Sequence, residues 1–471
     1  MDLNPMPPAW DLADAVRAGT LSAVELLDTC LANIAERDDA LHAFVCVDAD
    51  LARDQAAAID ARVASGEDPG PFAGVPFGVK DIEDVAGFPI THGSAVYDTG
   101  EPAAADSIHI SRLRAAGAVF VGTTVASEFG TLHYMRNMIH PLGRNPWNIE
   151  RTPGGSSGGS AAAVSAGMVP IATSGDGGGS TRIPASFCGN VGFKPSFGRI
   201  PDPAAARDSQ TAVKGVQATT VRDAARHLDV AAGPDPRVRT SLPSVEGLYE
   251  EAIESLDVSG LRVGWSSTLG YADPRPDVVE RTEEAATALI AAAGLTVVDV
   301  DIDWPDPVKA WMGGGYLDLW LELEREHWPD RKDDFTPFVA WALGGTEQMP
   351  SGMVAAIHKR RTKLEAAVGE TFGDIDVLLT PTNAVPAFGA EGPEVDPDAG
   401  PPHLSVPRAT VPFTMPANIC WNPACSVPAG LVDGLPVGLQ IMGGLHADAL
   451  VLRLANVYEQ ARPWPRHAPS K

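Results

Sequence analysis

Arg151-Thr152-Pro153-Gly154-Gly155-Ser156-Ser157-Gly158-Gly159-Ser160, followed by Ser174-Gly175-Asp176-Gly177-Gly178-Gly179-Ser180-Thr181-Arg182, makes this region unusually rich in glycine and serine. It is not a flexible linker. Between the two runs, Ala161–Ala166 has the composition of a helix and Val169–Ala172 that of a strand. Glycines here let the backbone approach a ligand closely and take positive φ. Consecutive N–H groups in such a turn make an anion-binding concavity. Serines beside it suit acyl transfer, in which a hydroxyl attacks and backbone donors hold the developing oxyanion. A single turn of this kind reads as tight packing. Two, each flanked by ordered elements, favour chemistry.

Working outward, Gly70-Pro71-Phe72-Ala73-Gly74-Val75-Pro76-Phe77-Gly78-Val79-Lys80-Asp81 is a short apolar strand punctuated by turns and ending in a charged pair. A helix from about Ser107 to Ala116, the helix-ending Gly117 and the strand Ala118–Gly122 follow. Before them, Trp10, Leu12, Ala15 and Val16, then Val24, Leu26, Leu27 and Leu31, recur at helical spacing, with Thr20 or Ser22 as cap. Ala57–Val63 extends the helical region. Downstream, the pattern predicts strands at Leu261–Trp265, Leu295–Val300, Val377–Leu379, Ala424–Val427 and Val437–Met442. Helices are predicted at Pro276–Ala293, Val354–Phe372 and Ala447–Gln460. This alternation argues an α/β fold. Ala232–Glu246 and Ala384–Pro407 read as loops, the second long enough to be a lid. No internal repeat is visible.

A length of 471 residues with 44% apolar content supports a large core. At ~150 residues per domain it suggests roughly three, although large α/β enzymes hold such a length in one sheet. The net charge of −26, with no long Lys/Arg run, argues against nucleic-acid binding. Neither a secretory h-region nor an apolar membrane-spanning stretch is present, so the chain reads as cytoplasmic, without a membrane partner. Cys30, Cys46, Cys188, Cys420 and Cys425 form no CxxC pair, and the scattered histidines form no ligand spacing. No metal and no cofactor are expected.

A serine nucleophile needs a base. Of the eight lysines, Lys80 alone precedes the Gly/Ser runs, and it ends an apolar strand. Buried there, it would have a lowered pKa, and its neutral amine could take a proton. An ion pair with Asp81 or Glu83 is the competing reading.

GGSSGGS at Gly154–Ser160, Gly178-Gly179-Ser180 and Arg182-Ile183-Pro184-Ala185-Ser186-Phe187-Cys188-Gly189 resemble the amidase signature family. So do Gly74–Asp81, Asn145-Pro146-Trp147-Asn148, Gly192–Arg199 and Leu435–Gln440, and Ser156 and Ser180 stand the expected 24 positions apart. The resemblance implies one large α/β domain over 1–471 with a mixed central sheet flanked by helices. Its core signature region would span about 70–202, and a substrate-shaping half about 230–430. It implies a Ser–cis-Ser–Lys triad: Ser180 as nucleophile, Ser156 as proton relay after a cis peptide bond, and Lys80 as base. Gly177, Gly178, Gly179 and Ser180 would supply oxyanion N–H groups. Asp176 and Arg182 would hold the loop, plain packing being an equal account. Ser157 would be a supporting donor, with a helix N-cap as the plainer role, and Lys194 a turn residue. Many members carry Thr at the position of Gly175 and a larger residue at Gly177, so this loop is expected to be more flexible.

By the same resemblance, Glu128, Phe129 and Gly130 lie near the scissile bond. Tyr134, Trp311, Tyr316, Trp320, Trp341 and Trp421 could form an apolar pocket, with core packing the plainer role for each. No arginine cluster points to a glutamine carboxylate. Small apolar or aromatic amides such as anilides are expected as substrates, with carbamates and esters as further candidates, in a monomer or homodimer. The glutaminase component of a tRNA-dependent amidotransferase and a non-catalytic scaffold are the alternatives. The GxSxG elbow of α/β-hydrolases needs a strand before Gly154, where Asn148–Pro153 is polar and stopped by proline.

Overall fold

The computed structural model describes residues 2–203, 209–323, 327–393 and 402–469. Its strands are β1 (Phe44–Val47), β2 (Pro76–Lys80), β3 (Val119–Thr124), β4 (Ile171–Asp176), β5 (Val191–Lys194), β6 (Val213–Ala218), β7 (Arg262–Trp265), β8 (Thr296–Val297), β9 (Val377–Pro381), β10 (Ala424–Val432) and β11 (Leu435–Gly443). They join in one mixed sheet, in the order β1-β3-β2-β4-β6-β5-β10-β11-β9-β7-β8. β3, β2 and β4 run parallel, as do β9, β7 and β8, while the strands between are antiparallel. β2, β3, β5, β9 and β11 are buried along their whole length, which explains why they read as short apolar runs rather than as alternating ones. Helices pack on both faces, and the fold is a single large α/β domain.

Local sequence sets the ends of these elements. The Ser22 side chain accepts from the Glu25 N–H and caps the helix Ala23–Leu41. Ser107 does the same for the helix Ile108–Ala115. Gly117 turns with φ +91°, where a Cβ would lie 2.3 Å from the Pro69 carbonyl oxygen. Pro276–Ala293 is helical over the predicted span.

Three expectations change. Leu295–Val300 shrinks to the two-residue β8 at the sheet edge, where no further strand pairs with it. Pro402–Thr410, which begins within the predicted loop Ala384–Pro407 and runs past its end, is helical. The proposed lid's centre, 394–401, lies outside the described residues. Several helices were not anticipated, among them Val308–Leu323, Pro337–Glu347 and Val221–Ala231. Among the described residues no helix is long and apolar enough to cross a membrane.

Candidate active site

The parallel strands β2 and β4 end side by side, and Lys80 is the last residue of β2. Open α/β sheets bind ligands at such carboxyl ends. Lys80 is 1% exposed, and its Nζ donates to Ser156 Oγ at 2.8 Å and to the Gly175 carbonyl at 3.4 Å. The competing ion pairs are absent because both carboxylates are engaged elsewhere. Asp81 accepts from the Thr91 N–H and hydroxyl and from the Gly93 N–H. Glu83 holds His109 at 3.0 Å and Lys214 at 3.5 Å. Burial, and then the nearby Lys214 charge, pushes the Lys80 amine down to about 7. Lys194 is pushed down to about 7 by burial too, but it is the last residue of β5 rather than the expected turn residue, and its Nζ donates to the Pro195 carbonyl at 2.8 Å. Geometry, not pKa, separates the two lysines.

The Gly155–Ser156 peptide is cis. Ser157 occupies the N-cap position of the helix Gly158–Ser165, yet makes no capping bond. Its Oγ lies 3.3 Å from both the N and the O of Gly175 and fastens the two Gly/Ser runs together. Gly175 is therefore not a loose loop residue. It sits inside β4, opposite Lys214 on β6. A Cβ there would first meet Lys80 Nζ, at 3.8 Å.

Asp176 and Arg182, both fully buried, form a two-point ion pair with both contacts at 2.9 Å. Burial alone would raise the Asp176 carboxyl, but the Arg182 guanidinium more than offsets this and holds it at about 2. Arg182 also donates to Gln440 Oε1 at 2.6 Å and Asn418 Oδ1 at 2.7 Å. Asn418 in turn donates to the Asp176 carbonyl. One of the expected oxyanion donors is already engaged, since the Gly179 N–H donates to Asp176 Oδ1 at 2.7 Å. The carbonyls of Gly177 and Gly178 accept from Trp311 Nε1 and Thr414 Oγ1, both at 2.6 Å.

Ser180 borders two cavities. One, of 460 Å³, is lined by Phe129, Tyr134, Trp311, Tyr316 and Phe338 among others, with Gly392 and Pro407 from the segment read as a lid. The other, of 570 Å³, extends to the Lys80 side and is lined by Ser156, Glu83, Asp84 and Lys214. Phe129 carries a left-handed φ of 49°, and Gly130 next to it lies against Ser156, where a Cβ would sit 3.2 Å from Oγ.

Two residues expected at the substrate are elsewhere. Glu128 is buried, accepting from the Ser94 hydroxyl at 2.6 Å and the Thr336 N–H at 2.8 Å, which ties its loop to the helix Pro337–Glu347. Trp421 stacks on Phe197 at 4.7 Å and donates to the Gln210 carbonyl. It belongs to neither cavity. Trp320 packs into the cluster of Leu319 and Phe335, and Trp341 lies half-exposed on Tyr316 and Phe338. Arg136, not singled out in the sequence, does line the 460 Å³ cavity. The sequence reading also passed over Lys214, a lone lysine in the run Val213–Val216, which lines the 570 Å³ cavity and pairs with Glu83 and Asp202.

Comparison with known proteins fits this geometry. The model of the family described as Amidase matches residues 25–452. The chain is 33% identical to an acylamidase of Rhodococcus erythropolis, covering 98% of this chain and 97% of that protein. It is 34% identical to a glutamyl-tRNA(Gln) amidotransferase component of Roseiflexus sp. (strain RS-1), with 98% and 97% covered. Among solved structures, a bacterial aryl acylamidase of the amidase signature enzymes superposes with a TM-score of 0.90 at 29% identity, covering 97% of this chain and 96% of that one. A 6-aminohexanoate cyclic dimer hydrolase gives 0.87 at 29%, with 97% of each chain covered. The protein belongs to the amidase signature family.

Proposed function

We propose that the protein hydrolyses amides through an acyl-enzyme formed on Ser180. The observation that carries this reading is the 2.8 Å bond from the buried Lys80 amine to Ser156, beside Ser180 at the junction of two cavities. A lysine that is half neutral near pH 7 can take a proton from Ser156, which takes one from Ser180. Ser180 Oγ then attacks the carbonyl carbon. The oxyanion is met by N–H groups of Gly177, Gly178 and Ser180, with Gly179 serving the loop instead. The amine leaves with the proton returned through Ser156, and water hydrolyses the ester by the reverse relay.

The aromatic lining of the 460 Å³ cavity supports small apolar or aromatic amides, anilides first, with carbamates and esters within reach of the same chemistry. Arg136 in that lining favours a second reading, glutamine hydrolysis as the glutaminase component of a tRNA-dependent amidotransferase. The first test is release of nitroaniline from a short acyl-nitroanilide by wild type and Ser180→Ala. Turnover in wild type, abolished in the variant, is expected. Turnover unchanged by the substitution overturns Ser180 as nucleophile. Glutamine turnover with no anilide turnover favours the second reading.

A further inference from the structure

Four residues of the loop carry N–H groups that a tetrahedral oxyanion could use, and the structure treats them unequally. In a trans peptide the C=O and N–H of one plane point in opposite directions, so fixing the carbonyl aims the next residue's N–H. The plane joining Gly178 and Gly179 is held at both ends, by Thr414 on its oxygen and by Asp176 on its N–H. The plane joining Gly177 and Gly178 is held at its oxygen only, by the Trp311 indole N–H at 2.6 Å. The Gly178 N–H at its other end has no acceptor among the described residues, and Gly178 lines the 460 Å³ cavity.

Trp311 belongs to the first turn of the helix Val308–Leu323 and lines the same cavity. Its ring lies flush on Gly178, where a Cβ would come within 2.3–2.5 Å of the indole. The indole thus excludes any side chain at 178 and fixes the plane that carries the free donor.

We infer that Trp311 is a positioning residue for the reaction: its indole N–H, bonded to the Gly177 carbonyl, aims the Gly178 N–H at the oxyanion formed on Ser180. This rests on the acyl-enzyme reading above. Trp311 contributes no proton and touches no reacting atom. It acts through the Gly177–Gly178 peptide. The indole bond is made equally in ground and transition states, but the donor it aims is fully used only once negative charge develops.

The test compares wild type, Trp311→Phe, a variant carrying 3-benzothienylalanine at 311 and Ser180→Ala. The benzothienyl ring keeps the indole's shape and lacks its N–H, so it separates the bond from packing if the phenylalanine variant folds poorly. Deleting an oxyanion donor outright lowers kcat by about 10²–10³-fold. Misaiming one is expected to lower it by roughly 10–100-fold in both Trp311 variants, with KM for the nitroanilide within about threefold. A trifluoromethyl ketone, which adds to Ser180 as a hemiketal oxyanion, should lose affinity in parallel with kcat. A purely structural role would not reproduce that parallel. Unchanged kcat in the benzothienyl variant, or a loss of ketone affinity matched by an equal rise in KM, overturns the inference. Turnover persisting in Ser180→Ala instead places the failure in the acyl-enzyme reading.

Discussion

Lys80 is held near neutrality by burial, so its protonation should be visible in the rate. A base must be unprotonated to act, and kcat/KM reports the free enzyme. We therefore expect kcat/KM to rise with pH through a midpoint near 7 and then level off, with Lys80→Met falling by several orders of magnitude across the whole range. A flat profile between pH 6 and 9 would remove Lys80 from the base role. Asp176→Asn leaves Arg182 buried without its counter-charge, a change that typically costs 3–5 kcal/mol. A thermal melt should show it as a drop in Tm. Lys80, Ser156 and Ser180 stood out in the sequence as a charge ending an apolar strand and hydroxyls in glycine turns, but the roles proposed for them came from the family resemblance, and the Lys80–Ser156 bond is visible only in the structure. The places of Glu128 and Trp421 were not legible. Their side-chain directions are set by Ser94, Thr336 and Phe197, partners that spacing along the chain does not reveal.

Helices carry the cavity wall, and two of the helices around it were hidden in the sequence. Gly313-Gly314-Gly315 and Gly344-Gly345 lie within these helices, although each glycine disfavours a helix by about 1 kcal/mol against alanine. Packing decides otherwise. A Cβ at Gly313 would lie 2.5 Å from Ile357, so the glycine lets the helix Val308–Leu323 press against the helix Ser351–Asp374. Glu128 then links the Phe129 loop to the start of the helix Pro337–Glu347, which brings Phe338 to the cavity. Glu128→Ala strips the Thr336 N–H and the Ser94 hydroxyl of their acceptor in a buried site, at about 1–3 kcal/mol for each group. The wall should loosen, raising KM for the nitroanilide severalfold while kcat moves less than twofold. A loss confined to kcat would place Glu128 in the chemistry after all.

Across the molecule, alternating strands and helices announced the α/β class, but not the strand order. β5 pairs with β10, and β4 reaches the C-terminal strands only through β6 and β5. Such long-range pairing follows from burial on both faces rather than from any local pattern. The sheet therefore runs unbroken from the signature region into the C-terminal half. Heat should unfold both halves together, with far-ultraviolet circular dichroism and tryptophan fluorescence giving coincident midpoints. Two separated transitions would mean that about 70–202 is stable by itself.

The buried arginine beneath the nucleophile loop gives the protein a timetable. Arg182 reaches Asn418 and Gln440, which lie 236 and 258 residues further along the chain. A ribosome adding about 5–20 residues per second will have delivered Lys80, Ser156 and Ser180 well before those braces emerge, by roughly ten seconds to a minute. Through that interval the nascent chain would carry all three proposed catalytic groups without the braces from Asn418 and Gln440, so on the proposed mechanism the serine stays silent until synthesis is nearly complete.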